Sequence, residues 1–348
     1  MSKYLKFLAL IAAVILLVAC GHDFWATSSN NSNNPSGVSG KFAYVANNGN
    51  ATVSEYTVSN GTLTTVSGSP VTAGVGSSPV AVAADSAGKF AFAASSGGGV
   101  VSYMVDRTTG TLNPVAGSPF PTGTSPVWVV ATPGGTFVYV MNGGSKDLSV
   151  YTVNTTSGVL TSAGVTTTLA AAPVRGAVDP SGRFLYVTEG TAGTQVFKID
   201  SGSGALTAVS TVAASPCASA NDIAIDANTR YAFIADGTSG VCNYSIISST
   251  GDLQKISTSS ISAGTNPVAI ATGGNGNFVF AANKGSNSVS GWTVDASGTL
   301  TPMTGSPFST GSAPVAVAVD PSGGYLYVVN SSDNTVSAFT ITSSNTLT

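Results

Sequence analysis

Three side chains that could hold a small molecule recur at intervals of 47 residues: Trp128, Arg175 and Asp222. A guanidinium binds a carboxylate, a phosphate or a lactone oxygen through paired N–H donors, and an indole ring can stack on a sugar ring. Because the three share one register of a repeat, we expect their side chains to meet. The sequence therefore predicts a ligand-binding group made of these residues.

Two carboxylates follow the same spacing, Glu189 and Asp236, where most other repeats have Asn or Ser. A carboxylate can position water for attack on a strained ester, so the candidate catalytic residues are Arg175, Glu189 and Asp236. A structural alternative is equally open. In that alternative Arg175 and Asp222 only pair across a repeat boundary, and the other two are solvated loop residues.

Histidine chemistry is excluded from the repeats, because His22 is the only histidine and precedes them. Ser-His-Asp triads and His-ligated metal sites are excluded with it. Phosphate-binding, dinucleotide-binding and calcium-binding motifs do not occur in a supporting context. We therefore expect no metal and no cofactor.

The elements that must position these residues are repeats of 47 residues, as in "APVAVAVDPSGGYLYVVNSSDNTVSAFTI" at 313–341. The opening positions are Pro79, Pro126, Pro173, Ala220, Pro267 and Pro314. An aromatic keeps the same interval at Phe90, Phe137, Phe184, Tyr231, Phe278 and Tyr325, with Phe42 one residue out of step. The chain therefore contains seven units.

Each unit reads as four short strands: an inner Val/Ala strand, an aromatic strand and two more, separated by Gly, Ser, Asn or Pro. A four-stranded period of this length is typical of a propeller blade. The sequence predicts an all-β, seven-bladed β-propeller of four-stranded antiparallel blades. The DPSG-like segments are predicted to be turns, in which Asp85, Asp179, Asp226 and Asp320 accept hydrogen bonds from the backbone ahead.

The seam between units 7 and 1 is predicted to be incomplete. The repeats begin at the aromatic strand of unit 1 with Phe42, and "NTLT" at 345–348 only begins the fourth strand of unit 7. Residues 31–37, NSNNPSG, are too polar to replace a Val/Ala strand. We therefore expect unit 1 to lack a regular innermost strand.

PVAVAVDPSG followed by an FxYVxN-type strand resembles the lactonase-type seven-bladed propellers, the family of 6-phosphogluconolactonase, muconate-cycloisomerase-like proteins and YVTN-repeat relatives. The resemblance covers residues 41–348. It implies an enzyme that hydrolyses or forms a lactone, with a pocket at one end of the central channel. The family's proposed mechanisms use His, Arg and carboxylates, so here catalysis would depend on Arg and carboxylates alone.

The first 19 residues are predicted to be an export signal, because Lys3 and Lys6 precede an apolar run from Phe7 to Ala19. The segment Leu17-Val18-Ala19-Cys20 resembles a bacterial lipobox, which implies a lipid on Cys20. Residues 20–40 have the composition of a flexible polar tether, and 41–348 form the propeller domain. We expect an exported protein, lipid-anchored in the cell envelope, in the outer membrane if the cell has one.

The composition argues against nucleic-acid binding. Only 8% of the 348 residues are charged, and the net charge is -3. The ten Lys and Arg residues from Lys41 onward are spread over the repeats and outnumbered by fourteen Asp and Glu. No basic stripe can follow a phosphate backbone. We expect a monomer that contacts a membrane only through its lipid anchor.

Two cysteines remain after Cys20, Cys217 and Cys242. In an exported protein such a pair is predicted to form a disulfide.

Two function classes stay open at this stage. One is a lactonase, a carboxylic ester hydrolase with a small lactone or sugar ligand. The alternative is a non-catalytic cell-envelope propeller that binds glycans or proteins at the cell surface. The fold alone cannot choose between them.

Overall fold

The computed structural model describes residues 42–74, 78–213, 217–238, 240–257, 260–273, 276–320 and 322–348, and the backbone of 3–6, 15–16, 25–27 and 41. These residues form seven antiparallel sheets. Within the described part of the chain, no helix is long and apolar enough to cross a membrane.

The strands of the first three blades follow chain order. Three short strands come first, β1 (Lys3–Lys6), β2 (Ile15–Leu16) and β3 (Trp25–Thr27). Blade 1 has β4 (Lys41–Asn47), a 3-10 turn (Asn48–Asn50), β5 (Thr52–Ser59), β6 (Thr62–Thr65) and β7 (Val71–Thr72). Blade 2 has β8 (Pro79–Ala84), β9 (Phe90–Ser95), β10 (Val100–Val105) and β11 (Leu112–Pro114). Blade 3 has β12 (Pro126–Ala131), β13 (Phe137–Asn142), β14 (Asp147–Val153) and β15 (Leu160–Thr168).

The other four blades repeat this order. Blade 4 has β16 (Arg175–Val178), β17 (Phe184–Thr188), β18 (Thr194–Ile199) and β19 (Leu206–Val212). Blade 5 has β20 (Ala220–Ile225), β21 (Tyr231–Asp236), β22 (Gly240–Ile246), β23 (Leu253–Lys255) and β24 (Ile261–Ser262). Blade 6 has β25 (Pro267–Gly273), β26 (Phe278–Asn283), β27 (Ser288–Val294), β28 (Leu300–Pro302) and β29 (Phe308–Ser309). Blade 7 has β30 (Pro314–Val319), β31 (Tyr325–Asn330) and β32 (Thr335–Thr340).

The predicted all-β propeller of four-stranded antiparallel blades is confirmed. In blades 2 to 7 the Val/Ala strand is innermost and packs against the innermost strands of neighbouring blades, which explains why these strands are apolar on both faces. Blades 1 and 7 share one core cluster, with Ala43 and Val45 against Val315 and Val329, so the ring is closed by packing.

The turns after the inner strands have the predicted structure. One carboxylate oxygen of each turn Asp accepts the two backbone N–H groups four and five residues ahead, at 2.5 to 2.8 Å. The four residues are Asp85, Asp179, Asp226 and Asp320. All four Asp residues are buried, and these bonds fix the start of the aromatic strand that follows each turn.

Neighbouring blades are joined by a recurring aromatic–glycine contact. The aromatic that opens the second strand of one blade lies against a turn glycine between the third and fourth strands of the next. A Cβ added to that glycine would lie 2.3 to 2.7 Å from the ring. The pairs are Phe42/Gly110, Phe90/Gly158, Phe137/Gly204, Phe184/Gly251, Tyr231/Gly298 and Tyr325/Gly61.

In five of these six pairs the carbonyl of the turn glycine accepts a hydrogen bond from the preceding blade, and the donor varies. Tyr44, Tyr139 and Tyr186 donate their hydroxyls to Gly110, Gly204 and Gly251. Where Phe92 and Phe233 replace the tyrosine, the residues directly opposite on the next strand, Ser102 and Asn243, donate instead. The contact therefore keeps its acceptor while its donor moves between strands.

The seam between blades 7 and 1 contains strands that the sequence analysis did not predict. β1 is the outer strand of blade 7, pairing with β32, and β2 and β3 pair with the two ends of β4. These strands come from segments predicted to be export signal and tether. Strand edges carry unpaired N–H and C=O groups that extended segments can satisfy. Blade 1 thus has two short inner pieces where other blades have one strand, and residues 31–37 lie outside the described residues.

Candidate functional site

The three predicted binding residues lie at the start of the innermost strand in blades 3, 4 and 5. Arg175 is the first residue of β16, and Trp128 and Asp222 are the third residues of β12 and β20. In both of those strands the pairing shifts register just before this residue. The same shift occurs in β8, β25 and β30, so it is a feature of the repeat.

Arg175 spans the central channel. Its Nη1 donates to Oδ2 of Asp222 at 2.9 Å, and its Nη2 donates to the carbonyl of Val315 at 2.9 Å. Val315 belongs to blade 7, which does not neighbour blade 4. The guanidinium also lies 4.6 Å from the ring centre of Trp128. Only 9% of the Arg175 side chain is exposed, so the group blocks the channel at this level.

Asp222 and Trp128 are held by the backbone as well. Asp222 Oδ2 also accepts the N–H of Ile270, and its Oδ1 accepts the N–H of Ile223. Burial raises the pKa of the Asp222 carboxyl, while the Arg175 charge and these N–H groups act in the opposite direction. Trp128 Nε1 donates to the carbonyl of Gly176 at 2.9 Å. The three side chains meet, and the ion pair crosses a blade boundary.

Glu189 follows directly after β17 in blade 4, the blade that also carries Arg175. The preceding residue, Thr188, pairs with Arg175, and its hydroxyl accepts the Arg175 N–H. Glu189 is 4% exposed, and its Oε2 accepts the N–H of Ala171 at 2.8 Å. Its Oε1 is buried and has no hydrogen-bond partner. Burial raises the pKa of Glu189, and the Ala171 N–H opposes that rise.

Asp236 occupies the equivalent position in blade 5, but both of its oxygens are engaged. Oδ1 accepts the N–H groups of Ser219 and Thr238, and Oδ2 accepts the Thr238 hydroxyl. Asp236 is 1% exposed. The alternative that Glu189 and Asp236 are solvated loop residues is therefore wrong, because both are buried. Asp236 holds its loop, whereas Glu189 keeps one oxygen free.

The sequence analysis did not identify the role of the asparagines at this register. Each donates Nδ2 to polar side chains five and seven residues ahead, and this spacing is visible in the sequence. They are Asn47, Asn142, Asn283 and Asn330. In three of them, Asn142, Asn283 and Asn330, Oδ1 is buried without a partner. Glu189 differs from these three asparagines because its side chain can ionise.

The described residues contain no group of three or more His, Cys, Asp or Glu side chains that could hold a metal ion.

Cys217 and Cys242 are joined by a disulfide, with Cα atoms 6.0 Å apart. Their positions correspond to a recurring hydrogen bond in other blades, in which a glycine N–H donates to a serine hydroxyl. The equivalent pairs are Gly123/Ser149, Gly264/Ser290 and Gly311/Ser337. Blade 5 therefore replaces a weak polar contact with a covalent bond between the same two elements.

Replacing both cysteines by the neighbours' residues, as Cys217→Gly/Cys242→Ser, should lower the free energy of unfolding by about 2 kcal/mol. The loop loses its cross-link, and the hydrogen bond of the other blades restores part of the stability. Urea unfolding without reductant would measure the loss. Reductant should destabilise the unaltered protein and leave the variant unchanged. A variant as stable as the unaltered protein would show that the bond contributes nothing.

A sequence model described as lactonase, 7-bladed beta-propeller matches residues 29–131, 120–220 and 178–348. The chain belongs to this lactonase family. No curated protein matches the sequence of this lactonase-family propeller.

Solved structures similar to this lactonase-family propeller include proteins named for different activities. A proposed 6-phosphogluconolactonase from Bacteroides uniformis has a TM-score of 0.75 at 19% identity, covering 97% of this chain and 95% of its own. The periplasmic gluconolactonase of Pseudomonas aeruginosa has a TM-score of 0.62 at 17% identity, covering 94% of both chains. Hydrazine synthase of Kuenenia stuttgartiensis reaches 0.64 at 16%, covering 93% and 97%. At these identities the likeness shows the fold alone.

Proposed function

We propose that this propeller hydrolyses a small lactone at the blade 4 side of the channel mouth. The observation that carries the proposal is the buried Oε1 of Glu189, which has no hydrogen-bond partner and lies in the same blade as Arg175. A carboxyl whose pKa is raised by burial suits proton transfer near neutral pH. Membership of the lactonase family supports the reaction class.

Each residue then has a defined task. Glu189 as carboxylate takes a proton from water while the water oxygen adds to the lactone carbonyl carbon. The ring C–O bond breaks, the proton passes to the leaving alkoxide, and a hydroxy acid results. A guanidinium has five N–H donors, and the described contacts of Arg175 use two, which leaves donors for the carbonyl oxygen. Trp128 packs against the Arg175 guanidinium, Asp222 pairs with it, and Asp236 holds its own loop.

Glu189→Gln should lower kcat/KM for the best substrate of a sugar and aliphatic lactone panel by at least about a hundredfold, because the base is lost. Lys284→Ala, an exposed residue on the loop after β26, is the control and should leave the rate unchanged. The rate of the unaltered protein should rise with pH through the Glu189 pKa, above the usual value of about 4.3 for Glu.

Two results would contradict the proposal. One is a Glu189→Gln protein, folded by circular dichroism, that hydrolyses the lactone as fast as Lys284→Ala. The other is the absence of turnover of any lactone by the unaltered protein.

The second candidate, a glycan- or protein-binding propeller, is favoured by two observations. Trp128, Arg175 and Asp222 bind one another and the backbone, and the repeats contain no histidine. A saccharide that binds in calorimetry without being hydrolysed, with affinity unaffected by Glu189→Gln, would support binding over catalysis.

We also propose that the protein is exported and held at the envelope by a lipid on Cys20, on the strength of the Leu17-Val18-Ala19-Cys20 segment. Cys20→Ser should move the protein from the membrane fraction to the soluble fraction, because the lipidated sulfur is lost. Immunoblotting of fractionated cells checks this, with Cys217→Gly/Cys242→Ser as the cysteine control. Unchanged membrane association of Cys20→Ser would contradict the proposal.

A further inference from the structure

The outer strand of blade 7 is built from two separate pieces of the chain. Near the C-terminal end, Thr340 and Thr348 exchange both backbone hydrogen bonds, at 2.8 and 3.1 Å. β1 then continues along β32 from Ala338 to Thr335. Both pieces run in the same direction, with only Phe339 of β32 between them. The edge at 335–338 is therefore covered by four residues from the opposite end of the sequence.

A groove runs beside this edge, between β32 and the turn that joins β5 to β6. Its volume is about 500 Å³, and its lining includes Leu63, Tyr325, Val336, Ala338 and Phe339. Val336 and Ala338 are alternate residues of one strand, so they share one face of the sheet. Ser337 between them is fully buried on the other face. A strand paired with this edge would present every second side chain to the groove.

We propose that the edge at 335–338 and the adjoining groove form a reversible docking site for an extended peptide. In the full chain the occupant is β1, and when β1 leaves, a peptide of that sequence binds in its place. Addition of a strand to a free edge draws affinity from main-chain hydrogen bonds and specificity from pockets for alternate side chains. The groove supplies such a pocket.

The covering strand is short, which makes exchange feasible. β1 pairs over four residues, and edge pairs of this length open at low cost compared with a blade interior. If residues 1–19 are removed as the predicted export signal, β1 leaves with them and the edge becomes free. Removal of residues 1–19 would then leave the docking site, which β1 occupies in the full chain, free to bind a peptide.

Hydrogen exchange on the full chain tests whether β1 covers the edge at 335–338. Ladder bonds alternate along a strand, so Tyr4→Pro/Leu5→Pro removes at least one N–H that faces β32. The amides of Val336 and Ala338, which lie on the same side of β32 as the Thr340 N–H and so face β1, should then exchange at least tenfold faster. The same two prolines at Ala9 and Leu10, outside β1, are the control. Amides of Ser288 and Val289, in the part of β27 that pairs with β29 in blade 6, should not change.

Peptide binding tests whether a peptide of the β1 sequence binds the edge once β1 has left it. A fluorescent peptide of residues 1–8, MSKYLKFL, should bind the Tyr4→Pro/Leu5→Pro protein saturably and should not bind the unaltered chain. A peptide carrying Tyr4→Pro/Leu5→Pro should bind at least tenfold more weakly, since it lacks at least one N–H of the ladder with β32. Equal exchange in both proteins, or no binding of MSKYLKFL to the proline variant, would overturn the proposal.

Discussion

Arg175→Met should lower the free energy of unfolding by about 4 kcal/mol, because it leaves the carboxylate of Asp222 buried without its cation. Asp222 is 2% exposed, so water cannot replace the guanidinium. The variant also loses the bond to the Val315 carbonyl, which joins blade 4 to blade 7 across the channel. Urea unfolding at neutral pH would measure the loss.

Arg183→Met is the matched control in the same blade. Arg183 also lies over an aromatic ring, that of Phe184 at 5.2 Å, and donates to the carbonyl of Ser248, but it is exposed. Its loss should cost less than about 1 kcal/mol. Adding Asp222→Asn to Arg175→Met should recover about 2 kcal/mol, since no buried charge remains. Equal losses for Arg175→Met and Arg183→Met would show that the pair does not stabilise the ring.

Gly251→Ala should lower the free energy of unfolding by about 3 kcal/mol. The glycine has φ of +80°, where an L-residue is strained by about 1 kcal/mol, and the new Cβ would lie 2.5 Å from the ring of Phe184. That ring is buried between two blades, so relief requires a shift of packed groups, costing about 2 kcal/mol more. Thermal and urea unfolding would measure the sum.

Gly164→Ala separates the two causes. Gly164 has φ of +70°, but no atom lies within 4 Å of its added Cβ. It should therefore cost only the backbone strain, about 1 kcal/mol. If both variants lose the same stability, the aromatic–glycine contact does not hold neighbouring blades together.

The fold could be predicted because the sequence repeats at a constant interval. A 47-residue repeat with an aromatic in every unit, an opening proline in five units and a turn Asp in four admits few architectures other than a ring of blades. The same periodicity exposed the exceptions Trp128, Arg175 and Asp222, since an unusual residue stands out only against a regular background. Their meeting follows from their shared register in adjacent blades.

Other features depend on contacts that a repeat does not contain. Arg175 reaches the Val315 carbonyl, 140 residues away and across the channel, and any residue supplies a carbonyl. Glu189 and Asp236 look equivalent in sequence, yet one lacks a partner for Oε1 because its loop offers fewer donors. The pairing of β1 with β32 joins sequence that lies outside the repeats, so periodicity could not reveal it.

The hydrogen-bond donor to the turn glycine differs between blades, and this has an evolutionary consequence. Because the glycine carbonyl is satisfied either by a tyrosine on one strand or by Ser or Asn directly opposite, a Tyr→Phe change is tolerated once the second donor exists. Losing both donors would leave a buried acceptor unpaired. Positions 92 and 102, and likewise 233 and 243, should therefore covary among homologous blades: where the aromatic is Phe, the facing residue should be a small hydrogen-bond donor.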